Sequence, residues 1–583
     1  MSQKKAKKLR RIETVTLMET TDIEHVKGIR QILKENWKFL LFLSLGIFVL
    51  YFNSLHGDFV SDDYATILNN SELTTSKYAL NGFSSTYFIN SLIANVFGVT
   101  PLAYHFFSLL LYISVCWLAF LFLYSLFDKR ISIVALLIFA VLPVHVEAVS
   151  WISGKGYLFI AFYLLVSMIF FIKYVETNKN WYLLGVIIPF ILSFLNDKPR
   201  PFLLFLIIPI YLILKNISIK KIKVFRYWPI MIIVLLALAC LIWPNIVSRI
   251  NSVNSGYNGY GGIFYDPFFQ YPTSIAKYLQ LVFIPVDLTL YHTMYVLPTW
   301  LNWLITLSYL IAVIYFYFKD KKIFFALAFI FAATAPSMAP VKVSWLVAER
   351  YVFLGSLGFC LFLAIIFEKI YKKNVYIAII LLAFLMSFYS IRTFLRNVDW
   401  QTNHNLWVNT CQVSPNSHNA WNNIGDDYDK LAQLETTDEE KIKQYLFSIR
   451  GFTQSVTVKS NYADAYHNRA NIFYKIGRYD LARDSYETAL SYGPNLYQSY
   501  YSLLQIDLTE KNFNSAINHL NKLNTIRPND PQVYYAAAVV YVNMGQTEQA
   551  VSILEQLIKV NPGWTQAIDL LTQLKTNQTT VKK

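Results

Sequence analysis

Two adjacent carboxylates, Asp62 and Asp63, lie shortly after the first long apolar run of the chain, residues 38–52. Placing an ionisable side chain at the end of a hydrophobic segment costs free energy, so packing alone does not explain these two carboxylates. A carboxylate held there suits proton transfer to or from a reacting group. A second interpretation is structural, because an acid before Tyr64 could cap the N-terminus of a short helix. The two roles are compatible, since a helix N-terminus can also fix a functional carboxylate.

The composition is that of a membrane protein. Of the 583 residues, 55% are hydrophobic, 17% aromatic and 15% charged. The formal net charge is +15, but Lys and Arg cluster in short loops between apolar runs. This placement indicates membrane topology and argues against a nucleic-acid partner. Three of the four cysteines fall inside apolar runs, and the spacing predicts neither a disulfide framework nor a metal site.

The apolar runs predict a transmembrane domain at 38–395. Residues 1–37 are polar and basic, so they are predicted to be a cytoplasmic segment before an uncleaved anchor. Runs of roughly spanning length cover 38–52, 103–127, 131–147, 157–173, 182–195, 201–215, 229–247, 299–318, 323–340, 351–367 and 375–393. The sequence therefore predicts about eleven spans.

Charge in the connections tests this topology. The predicted cytoplasmic connections, which are basic, are 128–130, 173–179, 215–226, 319–322 and 368–373. The segment 53–102 carries four acidic side chains against the single Lys77 and is predicted to be an external loop. A second external segment, 248–298, begins rich in Gly, Asn and Tyr and then contains a predicted interfacial helix at 273–285. An odd number of spans places the chain after Arg392 outside the cytoplasm.

A 34-residue period follows a predicted linker at 396–416. Residues that keep this step include Pro494, Pro528 and Pro562, then Ala482, Ala516 and Ala550, and also Gly477, Lys511 and Gly545. This period, with small residues where two helices cross and Pro at the repeat end, is the signature of tetratricopeptide helix pairs. The sequence therefore predicts a tetratricopeptide solenoid over 417–574 and a polar tail at 575–583.

Four sequence blocks, taken in chain order, carry a resemblance to a known family. They are Gly57-Asp58-Phe59-Val60-Ser61-Asp62-Asp63, the run from Pro143 to Gly154, the run from Ala348 to Phe359, and Arg396-Asn397 with Trp400 and Leu406-Trp407. With the repeats that follow, they are similar to the transmembrane and tetratricopeptide repeat-containing O-mannosyltransferases, of the GT-C class of polytopic glycosyltransferases. The likeness covers nearly the whole chain apart from the N-terminal 35 residues, although Ser61 stands where the family often has Trp. It implies an all-α fold, a GT-C helical bundle followed by an α-solenoid.

The resemblance also implies a reaction. A sugar, usually mannose, would pass from a polyprenyl-phosphate carrier to a Ser or Thr hydroxyl. A hydroxyl is a poor nucleophile, so a carboxylate must accept its proton. Asp62 is expected to take this catalytic role, and Asp63 to orient the acceptor or share the proton. No metal and no cofactor is expected, because Lys and Arg can stabilise a phosphate leaving group.

Four cations on the predicted external side are candidates for binding the donor phosphate. They are Arg350, Lys198, Arg200 and Lys155. Lys198 and Arg200 flank Pro199 in a tight turn between two apolar runs, and Arg350 opens another run. The alternative for each is an interfacial anchor that reaches to lipid phosphate and binds no substrate.

Four further polar residues are expected to support the site: His145, Glu147, Glu349 and Asp58. His145 and Glu147 are spaced by two where a predicted span ends at Pro143, which makes a metal pair a poor interpretation. Contact with the substrates and ordinary interfacial polarity both remain open for them. Glu349 stands beside Arg350 and would neutralise its charge.

The repeats suggest how an acceptor would be held. Tyr466, Tyr500 and Tyr534 recur every 34 residues and either line a concave polypeptide-binding face or pack between helices. The expected partners are therefore a polyprenyl-phosphate-linked sugar, polypeptide acceptors and membrane lipid. Two alternatives stay open: a lipid or envelope-glycan acceptor, and a non-catalytic membrane-anchored scaffold. Composition favours a bacterial cytoplasmic membrane, with the repeats on its non-cytoplasmic side, over an endoplasmic reticulum membrane with lumenal repeats.

Overall fold

The computed structural model describes residues 28–196, 200–224, 266–295, 297–338 and 345–581, together with 240, 243–244 and 247–248. Every regular element in this described part of the chain is helical. The helices before the repeats are α1 (Ile29–Leu50), α2 (Ser76–Ala79), α3 (Ser85–Phe97), α4 (Pro101–Tyr124), α5 (Lys129–Ala140), α6 (Val146–Val149), α7 (Lys155–Thr177), α8 (Tyr182–Asn196), α9 (Leu203–Leu214), α10 (Pro267–Phe283), α11 (Thr299–Lys319), α12 (Lys321–Thr334), α13 (Glu349–Val352), α14 (Ser356–Lys373) and α15 (Val375–Asp399). The all-α prediction is confirmed.

Within the described residues, five helices are long and apolar enough to cross a membrane, or six if a bent pair counts as one span. The five are α4, α7 with the turn before it, α11, α12 with the turn after it, and α15. Helices α8 and α9 are apolar but shorter. The predicted run at 229–247 lies almost wholly outside the described residues, so the number eleven stays a prediction.

The predicted span at 131–147 is broken, which corrects its boundary. Helix α5 ends at Ala140, and the chain resumes as helix at Pro143 after a bend of 59°. Proline has no N–H to donate and clashes with the preceding turn, so it begins a new helical segment. The bend turns His145 and Glu147 into the protein interior, where both are buried. They are therefore not the interfacial polar residues that one alternative expected.

The chain starts its first helix earlier than the apolar run indicates. Helix α1 begins at Ile29 and so includes polar residues that were assigned to the segment 1–37. The first residues of α1 include good helix formers, namely Arg, Gln, Leu, Lys and Glu. They extend the helix beyond its apolar run.

Three connections predicted to be cytoplasmic meet at one end of the helices. The ion pairs between them are Asp128 with Lys322 at 3.1 Å, Arg130 with Glu368 at 3.2 Å, and Asp320 with Lys369 at 3.1 Å. Lys215 adds a hydrogen bond from its Nζ to the carbonyl of Leu126, at 3.2 Å. The charge pattern thus identified loops that share one end of the fold.

Packing between α12 and α14 depends on a small residue. A Cβ added to Gly358 of α14 would lie 2.5 Å from the carbonyl oxygen of Ala326 in α12. Small residues at such crossings let apolar helices approach closely, which is the main source of packing between helices in lipid.

The segment 53–102 is folded. It contains α2 and α3 and has a small hydrophobic core of its own, in which Phe59, Ile67, Tyr78 and Ile93 pack with Tyr104 of α4. This core holds the acid-bearing turn against the helices. Helix α10 likewise contains most of the interfacial helix predicted at 273–285 and ends at Phe283, just before Pro285.

The repeat domain is a series of helix pairs. Its helices, with the one that connects to it, are α16 (Asn403–Val413), α17 (His418–Leu434), α18 (Asp438–Val458), α19 (Ala463–Lys475), α20 (Tyr479–Tyr492), α21 (Tyr497–Thr509), α22 (Phe513–Ile526), α23 (Pro531–Asn543), α24 (Thr547–Val560) and α25 (Thr565–Val581). The helices that open successive repeats begin at Ala463, Tyr497 and Pro531, which keeps the 34-residue step. Helix α25 continues through Val581, so the predicted tail boundary at 575 falls inside it.

Candidate active site

The acid-bearing turn is anchored by the chain that follows α15. The N–H of Asp58 donates to the carbonyl of Gln401 at 2.7 Å, and the N–H of Ser61 donates to Oδ1 of Asn403 at 3.0 Å. Ser61 has a φ of 52°, in the left-handed region that costs a side-chain-bearing residue about 1–2 kcal/mol. Such strain persists only where the surroundings hold it, and it is common at functional sites.

Asp63 is fully buried and held by three hydrogen bonds. Its Oδ1 accepts from the N–H of Ser153 at 2.8 Å and from the Ser153 hydroxyl, and its Oδ2 accepts from the N–H of Val60 at 3.2 Å. Burial raises the pKa of Asp63 to about 6, although these hydrogen bonds and the charge of Lys155 act to lower it. Asp63 is therefore a rigid carboxylate that titrates close to neutral pH.

Asp62 has the opposite environment. Its side chain is exposed, and within the described residues its carboxylate makes no hydrogen bond, although its carbonyl accepts from Thr66. A single turn, Tyr64–Leu68, follows the pair, and the Asp63 side chain makes no capping bond to it. The interpretation of this pair as a simple helix cap is therefore wrong for Asp63. One carboxylate is fixed by the fold, and its neighbour is free to meet an incoming group.

Lys155 lies close enough to Asp63 for their charges to interact. It is fully buried, and its Nζ lies 5.0 Å from the ring centre of Tyr104. Among the described residues this Nζ has no hydrogen-bond partner. A buried cation without a direct partner is costly, so Lys155 is suited to receive an anion.

Arg200 and Arg350 come together around two tyrosines. Arg200 donates to the hydroxyl of Tyr157 at 2.9 Å and lies over the same ring, 4.4 Å from its centre. The Arg350 guanidinium lies 5.0 Å from the ring centre of Tyr351, and the two arginines line one small cavity with both tyrosines. Lys198, the third candidate of this group, lies outside the described residues.

Arg350 is not neutralised by its neighbour in sequence. Its Nη1 pairs with Oε1 of the buried Glu147, and its N–H donates to Oε2 of the same carboxylate at 2.7 Å. Glu349 instead pairs with the buried Arg396, whose Nη2 lies 2.9 Å from Oε1, and His292 approaches the same oxygen. The expectation that Glu349 neutralises Arg350 is therefore wrong.

His145 joins helices and does not face the acids. Its Nδ1 lies 2.9 Å from the hydroxyl of Tyr112 in α4, and its Nε2 lies 2.7 Å from the hydroxyl of Ser356 in α14. Phe139 and Phe353 pack against its ring. With both ring nitrogens occupied, His145 holds the helices around the bend after α5.

A short segment, 151–157, connects the two parts of the site. Trp151 lies under the Arg350 guanidinium, Ser153 binds Asp63, and Tyr157 binds Arg200. Sequence reasoning quoted part of this segment but named neither Ser153 nor Tyr157 as a site residue. The available signal for Ser153 was its position inside the second sequence block, two residues before Lys155, whereas Tyr157 lies outside that block.

The repeat tyrosines are half-buried packing residues. Tyr466 stacks on Tyr492 with ring centres 5.8 Å apart, and Tyr500 and Tyr534 each pack against a small hydrophobic cluster, the first containing Leu523 and the second Leu554. These contacts agree with the packing alternative. Whether the exposed edges of the same rings also touch a polypeptide stays a prediction.

Together, the described helices and this cluster of buried charges define a class: helical membrane proteins with a C-terminal tetratricopeptide domain. Family models described as tetratricopeptide repeat match residues 463–496 and 507–574. The repeat assignment is thereby confirmed.

The relatives make the identification more specific. The chain is 23% identical to the human protein O-mannosyl-transferase TMTC3 over 89% of its length and 60% of that protein, and 22% identical to the mouse TMTC3 over 91% and 61%. The chain is thus a homologue of the transmembrane and tetratricopeptide repeat-containing O-mannosyltransferases, as the four blocks predicted, and it spans about 60% of the length of these two relatives. A solved structure, that of YrrB, a TPR protein with an unusual peptide-binding site, aligns with 16% identity and a TM-score of 0.24 over 35% of this chain and 96% of that chain.

Proposed function

We propose that this protein transfers a sugar, most simply mannose, from a polyprenyl-phosphate carrier to Ser or Thr hydroxyls of polypeptides on the non-cytoplasmic side of a membrane. The observation that carries this proposal is the contrast at the acid pair. Exposed Asp62 stands beside buried Asp63, which is held by Ser153 near the unpartnered Lys155. The names of the relatives support the reaction class.

The transfer needs one proton acceptor and one stabilised leaving group. The acceptor oxygen bonds to the anomeric carbon of the sugar, and the bond from that carbon to the phosphate oxygen breaks. The hydroxyl proton passes to the Asp62 carboxylate as the new bond forms. The carrier phosphate leaves with one more negative charge, which cations around it stabilise.

Asp63 is a positioning residue in this scheme. Its bonds to Val60 and Ser153 tie the turn to the start of α7, so Asp62 is held at a defined place. Lys155, inside the segment 151–157, and the pair Arg200 and Arg350, which contacts Tyr157 and Trp151 of that segment, supply the positive charge. Arg350 keeps its charge fixed by Glu147, and a guanidinium paired on one side still offers further N–H donors.

Contacts between the turn and the first repeat support a role for the repeats in presenting the acceptor. Asn403, which binds Ser61, also donates to Oδ1 of Asp427 in α17 at 3.2 Å. Lys430 of the same helix lies 5.0 Å from the ring centre of Tyr64. A polypeptide held on the repeats would therefore be close to Asp62, which raises its effective concentration without a new catalytic contact.

The test is transfer by the full chain, reconstituted in lipid with a polyprenyl-phosphate mannose and an unfolded Ser/Thr-rich polypeptide. Asp62→Asn should lower the rate by about 10²- to 10⁴-fold, because the proton acceptor is lost. Glu72→Gln is the matched control, since Glu72 is an exposed carboxylate on the same loop that pairs with Lys77 at 2.8 Å. Its rate should equal that of the unchanged protein.

Full transfer by Asp62→Asn would remove the catalytic assignment. Transfer to a lipid acceptor but not to polypeptide would keep the donor chemistry and replace the acceptor. No transfer with either acceptor, together with unchanged cellular glycans on deletion, would favour the scaffold.

A further inference from the structure

The junction between the acid-bearing turn and the first repeat contains a histidine, His404, to which the proposed reaction assigns no role. It is the second residue of α16 and follows Asn403, whose Oδ1 accepts from the N–H of Ser61. Asp62 is the next residue after Ser61. A single hydrogen bond therefore joins the neighbour of His404 to the neighbour of the proposed proton acceptor.

A buried carboxylate fixes one nitrogen of the imidazole. Nδ1 of His404 lies 2.8 Å from Oδ2 of Asp427 in α17. An ionised carboxylate only accepts hydrogen bonds, so Nδ1 is the donor. Oδ1 of the same carboxylate accepts from Nδ2 of Asn403 at 3.2 Å, and the side chain of Asp427 is only 7% exposed. Both oxygens of Asp427 thus have a donor, and the imidazole has a fixed orientation.

The second nitrogen of the ring, Nε2, is available to a ligand. The side chain of His404 is 37% exposed, and within the described residues Nε2 makes no hydrogen bond. Tyr428 packs edge-on against the ring, with the ring centres 5.3 Å apart. Nε2 accepts a hydrogen bond when the imidazole is neutral and donates one when it is charged. A polypeptide backbone carries both an N–H and a C=O at each residue other than proline, so it can bind this nitrogen in either state.

The acid-bearing turn and α17 face each other at this histidine. Tyr64, the residue after the acid pair, is close enough to Asp427 for their charges to interact. Lys430, also on α17, has its Nζ 5.0 Å from the ring centre of Tyr64. An acceptor that is held on the repeats and reaches Asp62 therefore passes His404.

We propose that His404 binds the acceptor polypeptide through Nε2, by a hydrogen bond to the backbone beside the reacting Ser or Thr. This inference rests on the proposed function, because it names a binding residue for the acceptor of that reaction. The acceptor hydroxyl is engaged by Asp62, which leaves the backbone as the partner of Nε2. Since every polypeptide has this backbone, the contact positions the acceptor without selecting its sequence.

The experiment measures transfer by the full chain in lipid, with a polyprenyl-phosphate mannose and an unfolded Ser/Thr-rich polypeptide. His404→Asn keeps an amide N–H near the position of Nδ1 for Asp427 but has no atom at Nε2, whereas His404→Gln places an amide nitrogen near Nε2. We expect His404→Asn to raise KM for the polypeptide by about three- to tenfold, with kcat and KM for the donor unchanged, because one hydrogen bond of the bound acceptor is lost. His404→Gln should restore part of this loss. A residue that only held Asp427 in place would show the opposite order.

A polypeptide in which every Ser and Thr is replaced by Ala separates the backbone from the hydroxyl. Its binding to the full chain in detergent is measured by fluorescence anisotropy without donor. The affinity should weaken in His404→Asn by the same factor as KM rises, because the backbone is unchanged. His56→Gln is the matched control, since His56 is an exposed histidine just before the acid-bearing turn. It should leave KM and affinity unchanged.

An unchanged KM in His404→Asn, a larger loss in His404→Gln than in His404→Asn, or no binding of the Ala-substituted polypeptide by the unchanged protein would overturn the proposal. These results are distinct from a failure of the proposed function, which is the absence of transfer by the unchanged protein. In that case the binding measurement alone decides whether His404 contacts a polypeptide.

Discussion

Two carboxylates that are adjacent in sequence have different chemistry because their surroundings differ. The sequence predicted the pair Asp62 and Asp63 as a site, and the structure gives each a distinct environment, one exposed and one buried. The residue that makes this difference is Ser153, which lies 90 positions away. Local patterns carry no information on such a partner, so the burial of Asp63 and the exposure of Asp62 could not be predicted.

The buried carboxylate makes stability depend on pH. The pKa of Asp63 is raised from its ordinary 3.8 to about 6, so the folded state favours the protonated form. The stability that this proton contributes is fully present below about pH 4 and is lost as the pH rises through about 6. The loss amounts to at most about 3 kcal/mol. Asp63→Asn cannot titrate, so the stability of the unchanged protein relative to this variant should fall between pH 4 and pH 7.

Melting temperatures of both proteins in the same detergent, measured at half-unit pH steps, test this expectation. The slope of their difference is the readout, because the offset also contains the altered bond to Val60. Glu72→Gln keeps Asp63 and is the control, so its melting temperature relative to Asp63→Asn should fall between pH 4 and pH 7 as that of the unchanged protein does. Parallel curves for Asp63→Asn and the unchanged protein would mean that Asp63 stays ionised throughout.

The ion-pair partners of the buried charged residues could not be predicted from the sequence either. Glu349 and Arg350 are neighbours in the chain, but successive residues of a helix point in directions that differ by about 100°. Arg350 therefore meets Glu147, which is 203 positions away, and Glu349 meets Arg396, 47 positions away. The candidate cations were found by type and by expected side of the membrane. Their partners required the tertiary structure.

The positions of helices were predicted well where the sequence repeats with a fixed period. The 34-residue step located the repeat helices, and Gly477 and Gly545 of that step have φ values of 75° in the turn between paired helices. The third residue at this position, Lys511, has a φ of 59°. The break in the span at 131–147 was missed, because hydropathy continues across Pro143 although the helix does not.

Lys511 provides a test of that turn. Lys511→Gly should stabilise the third repeat by about 1 kcal/mol, because glycine enters the left-handed region without the penalty of a side chain. Slower hydrogen exchange of amides in α21 and α22 is the measurement. Lys522→Gly is the matched control, since Lys522 is an exposed residue inside α22. The same change there should destabilise by about 1 kcal/mol, and a loss of protection in both variants would contradict the assignment.

At the scale of the whole molecule, the two ends of the helical domain carry different charged groups. One end joins the basic connections through Asp128, Lys322 and their neighbours. The other holds the acid pair, which contacts Asn403 and the first repeat. Helix α4 links them, with Tyr104 beside Lys155 near its start and Leu126 bonded to Lys215 just beyond its end. Its 24 residues are about 36 Å long, enough to cross a hydrocarbon layer of about 30 Å.

This arrangement predicts that the acid-bearing loop and the repeats are in one compartment and the basic connections in the other. Single cysteines placed by Glu72→Cys, Thr436→Cys and Lys129→Cys, in a background with Cys240→Ser, report the side by reaction with a membrane-impermeant maleimide. The other three native cysteines are buried. In sealed vesicles of known orientation, the cysteines at 72 and 436 should react together, and the one at 129 only after permeabilisation. If the cysteines at 72 and 436 reacted from opposite sides instead, a substrate site shared by the acids and the repeats would be impossible, because a bilayer would separate parts that the transfer requires in contact.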